Sequence, residues 1–194
     1  TNHTKAALKL QMVISVLAAS PKQVQIFSER IHEVRKMKIG PWVKGRLLLM
    51  DLGYYSFSLF ERIQRNAGFF VSRVKSNANF EIASSNLVCR GRSLKLEGKK
   101  FQDILPKLKR QTIDLEVWVP IKRRPYDGWQ TTVYKTCRLV GVRNEKTGQY
   151  HLYLTNVPSE RLSPDDVARV YAARWEVELL FKELKSSYRL DEVP

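Results

Sequence analysis

Cysteine is scarce in this chain. Only Cys89 and Cys137 occur among 194 residues, at a spacing that fits neither a zinc site nor a redox motif. A disulfide scaffold is excluded, both thiols read as core-type groups, and a reducing, cytoplasmic setting is expected. Long hydrophobic runs are absent too: none exceeds the four residues of Leu47–Met50, far short of a bilayer span. No stretch reads as a signal or transit peptide, and a chain opening at Thr1 reads as a segment of a longer reading frame. With 9 Gly and 8 Pro, collagen-like and low-complexity chains are excluded; 43% hydrophobic residues exclude a disordered basic tail. Acidic residues are few at the start, where Asp51 is the first Asp and only Glu29 and Glu33 precede it.

Positive charge is plentiful and unevenly placed. Lys and Arg number 34 against 19 Asp and Glu, a net charge of +15, and residues 73–146 hold 17 of the basic but 7 of the acidic residues. Such a concentration suits an anionic polymer. Lipid headgroups would also match the charge, but no amphipathic helix with a basic face and a Trp/Leu face appears, so nucleic acid is the expected partner and no membrane is.

The apolar pattern predicts strands over residues 5–18 and 24–27, a short polar helix over 28–36, and a buried strand over 46–50 that ends at Asp51. Ser58 and Glu61 read as a capping box, predicting a helix that starts there and stops at Gly68, with a strand over 69–75 after it. Strand, helix and strand in that order predict an α/β fold, a mixed sheet with helices on its faces. Between 77 and 156, β-prone runs at 115–119, 131–142 and 150–154 are broken by Gly and Pro, which predicts an antiparallel segment carrying most of the charge. Ser163 as N-cap, Pro164 at the first turn and Asp166 at N3 announce one helix running to about residue 187. On it Val170, Ala173, Val177, Leu180, Phe181 and Leu184 form one stripe, and Tyr171, Arg174, Glu178 and Lys185 fall on a strip beside it.

The spacing of those last four residues resembles the YREK signature of the bacterial insertion-sequence DDE transposases of the insertion-sequence-four superfamily. Three further stretches carry the same resemblance: residues 48–54 (Leu-Leu-Met-Asp-Leu-Gly-Tyr), residues 70–75 (Phe-Val-Ser-Arg-Val-Lys), and Leu154-Thr155-Asn156 ahead of the helix. Together they span essentially the whole chain. The resemblance implies an RNase H-like fold interrupted by a β-rich basic insertion: core over 1–76, insertion over 77–157, catalytic helix over 158–194. It implies a transposase that cleaves phosphodiesters and joins strands at insertion-sequence ends, acting on double-stranded DNA and dimeric there as the full-length protein. Asp51 and Glu178 would be the catalytic carboxylates, holding two Mg²⁺ ions that Mn²⁺ can replace, since hard cations take carboxylate oxygens. Tyr171, Arg174, Lys185, Arg73 and Lys75 would contact DNA phosphates. Lys122, Arg123, Arg124 and Trp129 are candidate DNA contacts in the insertion, with cations and aromatics interleaved as in backbone-tracking, base-stacking surfaces.

The simpler alternatives are a turn-capping Asp51, a Glu178 that merely pairs with Arg174 or Lys182, and a Tyr171 that packs at the edge of the core. One departure from the family stands out: its third carboxylate, an Asp on the first strand, lies upstream of the region that begins here. The alternative function is therefore a remnant that binds DNA without cutting it.

Overall fold

The computed structural model describes residues 8–18, 20–28, 30, 32–85, 87–89 and 92–188. The chain divides into two compact units, one of residues 1–38 with 172–194 and one of residues 39–171. In the first, β1 (Leu8–Ser15) and β2 (Ser20–Ser28) pair as an antiparallel hairpin, and the single turn α1 (Glu33–Lys36) follows. The register shifts where Ile14 meets Pro21, because proline has no amide to give to the ladder.

The second unit is built from β3 (Leu47–Met50), α2 (Phe57–Arg65), β4 (Phe69–Arg73), β5 (Glu81–Ser85), the short pair β6 (Val88–Cys89) and β7 (Arg92–Ser93), α3 (Phe101–Ile104), β8 (Thr112–Lys122), β9 (Thr132–Arg143) and β10 (Tyr150–Thr155). It closes with α4 (Pro164–Ala172). Six strands form one mixed sheet in the order β3-β4-β10-β9-β8-β5. Only β3 and β4 run parallel, from Leu47↔Phe69 to Met50↔Ser72, and α2 is the crossover that such a pair needs. The β-rich segment makes no main sheet of its own, since β10 lies beside β4 and continues the same ladder.

Alternation along the strands fills both faces of this sheet. Ile113, Leu115, Val117, Val119 and Ile121 of β8 are buried, and α2 adds Leu59, Phe60 and Ile63 to the core. Phe60 stacks on Phe70 of β4 with ring centroids 4.3 Å apart. The next residue, Val71, points the other way and clusters with Val140, Tyr153 and, from α4, Val167 and Tyr171.

Two local expectations need correction. Ser58 and Glu61 form no capping box: α2 starts at Phe57 after Ser56, and Glu61 turns inward, where three cations take its carboxylate. The helix does end before Gly68, with Ala67 turned into the left-handed region at φ 54°, and position 68 has no room for a side chain, as a Cβ there would sit 2.9 Å from both Cγ2 and the carbonyl oxygen of Val43. The single helix expected over 163–187 is two helices, α4 and α5 (Trp175–Tyr188). Between them the bonds Glu176 N–H to Ala173 O (3.2 Å) and Val177 N–H to Arg174 O (3.1 Å) span three residues instead of four, which interrupts the ladder. Its start is as expected: the Asp166 amide donates to Ser163 Oγ at 3.2 Å, and that hydroxyl in turn donates to the Asp166 carboxylate at 2.6 Å.

Candidate active site

β3 delivers Asp51 to the end of the sheet, where it is exposed and leads into a 3₁₀ turn over Leu52–Tyr54. The turn is held by the Tyr54 amide on the Asp51 carbonyl at 2.9 Å, while the Asp51 carboxylate makes no capping bond to it. Turn capping is therefore not what this side chain does. Because Met50 pairs with Ser72 in parallel register, Asp51 and Arg73 leave the same end of neighbouring strands, and Lys75 follows two residues on. Arg73 and Lys75 are both exposed, and the Lys75 ammonium lies 5.4 Å over the Tyr55 ring. One carboxylate and two cations thus share one end of the sheet.

Tyr171 is placed differently from what the resemblance implies. It is buried in the core against Tyr153, ring centroids 5.2 Å apart, and its hydroxyl donates to the Met50 carbonyl at 3.2 Å. A single helical period places the ring on a polar strip; the apolar cluster of Val71, Val140 and Val167 takes it instead. The phenol touches the residue just before Asp51 and stands as a support of that strand end. The Leu-Thr-Asn stretch has an equally structural job. Thr155 Oγ1 donates to Phe70 O at 2.5 Å and accepts from the Val157 amide at 3.0 Å. Asn156 accepts from the Phe70 amide and donates to Gly68 O, both at 2.9 Å. These side chains extend the β10–β4 ladder past its last backbone pair, Thr155↔Val71, and fix β4 beside β10.

Arg174 and Glu178 belong to the other unit, where they form an ion pair four residues apart, Nη2 to Oε1 at 2.6 Å. With the Glu178 side chain 43% exposed, the pair is worth a few tenths of a kcal/mol, about 0.3–0.5, and yields readily to a stronger ligand. Lys185 belongs to α5, but its side chain, like those of Leu184 and Cys89, lies outside the described residues.

In the β-rich segment Lys122, Arg124 and Trp129 are exposed, and Arg123 is not available in the same way. Its guanidinium grips the buried Glu61 carboxylate with two bonds, 2.6 and 2.9 Å, and Lys135 and Arg65 add contacts at 3.1 and 3.2 Å. The Arg123 bonds, helped by Lys135, hold the Glu61 carboxyl down at about 2 against the cost of its burial. Composition gave no hint of this clamp, although Glu61 stands mid-helix on the apolar face of α2. A second missed group is Arg138, buried, which binds Asp114 through two bonds (2.8 and 2.7 Å) and donates to the carbonyls of Val157 and Leu162. It anchors the loop between β10 and α4. Burial pushes the Cys137 thiol up to about 12, which makes it an inert core group, as expected.

No three His, Cys, Asp or Glu side chains gather into a metal-ligand group among the described residues, and no described helix is long and apolar enough to cross a membrane. Comparison with known proteins gives a consistent picture. The chain is 24% identical over 216 aligned residues to the transposase for insertion sequence element IS1151 of Clostridium perfringens, covering 97% of this chain and 45% of that protein. It is 23% identical over 171 residues to the transposase for insertion sequence element IS231F of Bacillus thuringiensis subsp. israelensis, covering 76% of this chain and 36% of that one. The chain thus spans less than half the length of these relatives. The family model described as "Transposase DDE domain" matches residues 1–194. With that match over its whole length and a mixed six-stranded sheet of the RNase H-like class, the chain belongs to the DDE transposase family.

Proposed function

We propose that this chain is the catalytic core of an insertion-sequence transposase, which cleaves and joins DNA strands at the element's ends with Asp51 and Glu178 as its metal-binding carboxylates. The observation that carries this reading is the placement of Asp51. It ends a strand whose last carbonyl is tied down by the signature tyrosine, and Arg73 and Lys75 sit at the same end of the sheet. The donor set fits a hard cation, because both groups are carboxylates. Two Mg²⁺ ions, when bound, supply charge stabilisation to the attacking and leaving oxygens of an in-line displacement, and Mn²⁺ can stand in for them. Arg73, Lys75, Arg174 and Lys185 hold phosphates, the arginines through paired hydrogen bonds and the lysines as point charges. Glu178 would hold a metal by giving up its contact with Arg174, whose guanidinium would then bind a DNA phosphate. Tyr171 acts through Met50, whose carbonyl its hydroxyl holds at 3.2 Å.

Two carboxylates provide less negative charge than two close divalent ions require, so a further acidic residue would complete the centre. The β-rich basic segment 77–157 faces double-stranded DNA, and the full-length protein works as a dimer on it. The test is a nicking assay on a duplex carrying an element end, with Mg²⁺ or Mn²⁺. Full-length protein nicks; residues 1–194 alone bind the duplex and nick poorly. Glu178→Gln abolishes nicking and keeps DNA affinity, and Lys185→Ala weakens end binding. Robust nicking by residues 1–194 would refute the third-carboxylate argument. Binding without nicking by the full-length protein would establish the remnant reading.

A further inference from the structure

The hairpin of β8 and β9 pairs without interruption from Thr112↔Val142 to Lys122↔Thr132 and then closes at its tip through Tyr126 and Trp129. Each of these two residues donates its amide to the other's carbonyl, at 3.0 and 2.9 Å. Between them Asp127 and Gly128 both have positive φ, 48° and 75°, as a two-residue type I′ loop requires. Directly opposed residues put their side chains on one face of a ribbon, so the two rings stand side by side. They are 87% and 80% exposed. Further down the arm Trp118 and Tyr134 are also exposed, and they share a face because Trp118 opposes Thr136 and Pro120 opposes Tyr134.

Single exposed aromatics are ordinary, but four along one hairpin form a surface with a use. The composition of the arm selects the occupant. From 118 to 136 it carries Lys122, Arg123, Arg124 and Lys135 against Asp127 alone, which suits a polyanion better than an apolar protein face. The root is fixed, since Arg123 and Lys135 are both locked to Glu61 of α2, so the rings are presented without ordering cost. Inside a duplex every base face is covered by its neighbours. Flat rings on a rigid tip can therefore stack only on bases that are unpaired or at an open end.

We propose that the tip of this arm, Tyr126 and Trp129 with Lys122 and Arg124, is a stacking site for unpaired bases of DNA. The site deepens the DNA reading above and rests on it. It gives Arg123 no contact with DNA and makes Tyr126, absent from the expected contacts, an equal partner of Trp129.

The test titrates the full 194-residue chain into two labelled probes, an oligothymidylate of about 12 nucleotides and a blunt duplex of the same length, followed by anisotropy. The single strand binds more tightly than the duplex. Trp129→Ala and Tyr126→Ala each weaken single-strand binding about 5- to 100-fold, weaken duplex binding far less, and leave the thermal melt unchanged, because the removed rings lie outside the core. Unchanged single-strand binding in both variants, with a loss in the Lys122→Ala, Arg124→Ala pair, would mean backbone contact alone and overturn the proposal. So would variants that merely dissociate a dimer, which would make the arm a contact between copies. Duplex binding with no preference for unpaired bases defeats the arm and spares the transposase reading; failure to bind either probe defeats both.

Discussion

Replacing Glu61 by Gln keeps the shape of a buried side chain and removes its charge. That charge is what draws Arg123, Lys135 and Arg65 to α2, and it holds the carboxyl at about 2 where 4.5 is ordinary. Each tenfold change in proton affinity corresponds to about 1.4 kcal/mol, so the clamp is worth about 3 kcal/mol before discount. The cation side chains reach solvent, 32% exposed at Arg123, 39% at Lys135 and 60% at Arg65, and screening lowers the expected figure to about 2 kcal/mol. The sign follows from the lowered value in the folded state. The contribution is complete above 4.5 and drains away as pH falls from there toward 2. Urea unfolding of the wild type and Glu61→Gln, run at a series of pH values, should therefore show a gap of about 2 kcal/mol near neutrality that closes in acid. A gap that is independent of pH would show that packing, not charge, is what Glu61 contributes, and would refute the argument.

Other substitutions probe the scaffold that carries Asp51. Gly68→Ala forces a Cβ to 2.9 Å from Val43 and should cost about 1–3 kcal/mol in a thermal or chemical melt. Arg138→Met strands Asp114 and two carbonyls in a buried place; a loss of about 3–5 kcal/mol by urea titration is expected, and Arg138→Met with Asp114→Leu should recover much of it. Tyr171→Phe removes one hydrogen bond and should lower stability by only about 1 kcal/mol, while nicking by the full-length protein falls further, with duplex affinity intact. A fall in duplex affinity instead would restore the phosphate role.

Much of the core was legible because its signals are local. Leu47–Met50 has no polar residue and reads as a doubly covered strand; Gly68 reads as a stop; Ser163, Pro164 and Asp166 announce α4 by chemistry confined to four residues. Errors came where a distant partner decides. Glu61 fits a capping box on spacing alone, but Arg123, 62 residues away, turns it inward. Trp129 and Arg124 were legible as a basic and aromatic stretch, whereas their place on one rigid arm depends on the Asp127-Gly128 turn, a hairpin signal present in the sequence. The membership of β5, β8, β9 and β10 in the same sheet as β3 depends on β10 choosing β4 as its neighbour, which no local pattern encodes.

The strip of Tyr171, Arg174, Glu178 and Lys185 rested on one unbroken 100° period, and the structure divides that strip at Ala173–Arg174. The division explains why one signature can hold residues of different kinds. Among the described residues β3 is the edge strand of its sheet, paired with β4 alone, so nothing on its other side completes its ladder. An acid at the end of such a strand has to be held within about half an ångström to be useful to a metal. Tyr171 supplies one hold by taking the Met50 carbonyl, and Thr155 and Asn156 supply another by pinning β4 at Phe70 and Gly68. The residues after the break belong to the other unit, where Arg174 and Glu178 orient each other through an ion pair worth a few tenths of a kcal/mol. The tyrosine and the Leu-Thr-Asn stretch thus hold the strand ends around Asp51, whereas the arginine and the glutamate, in the other unit, pair with each other.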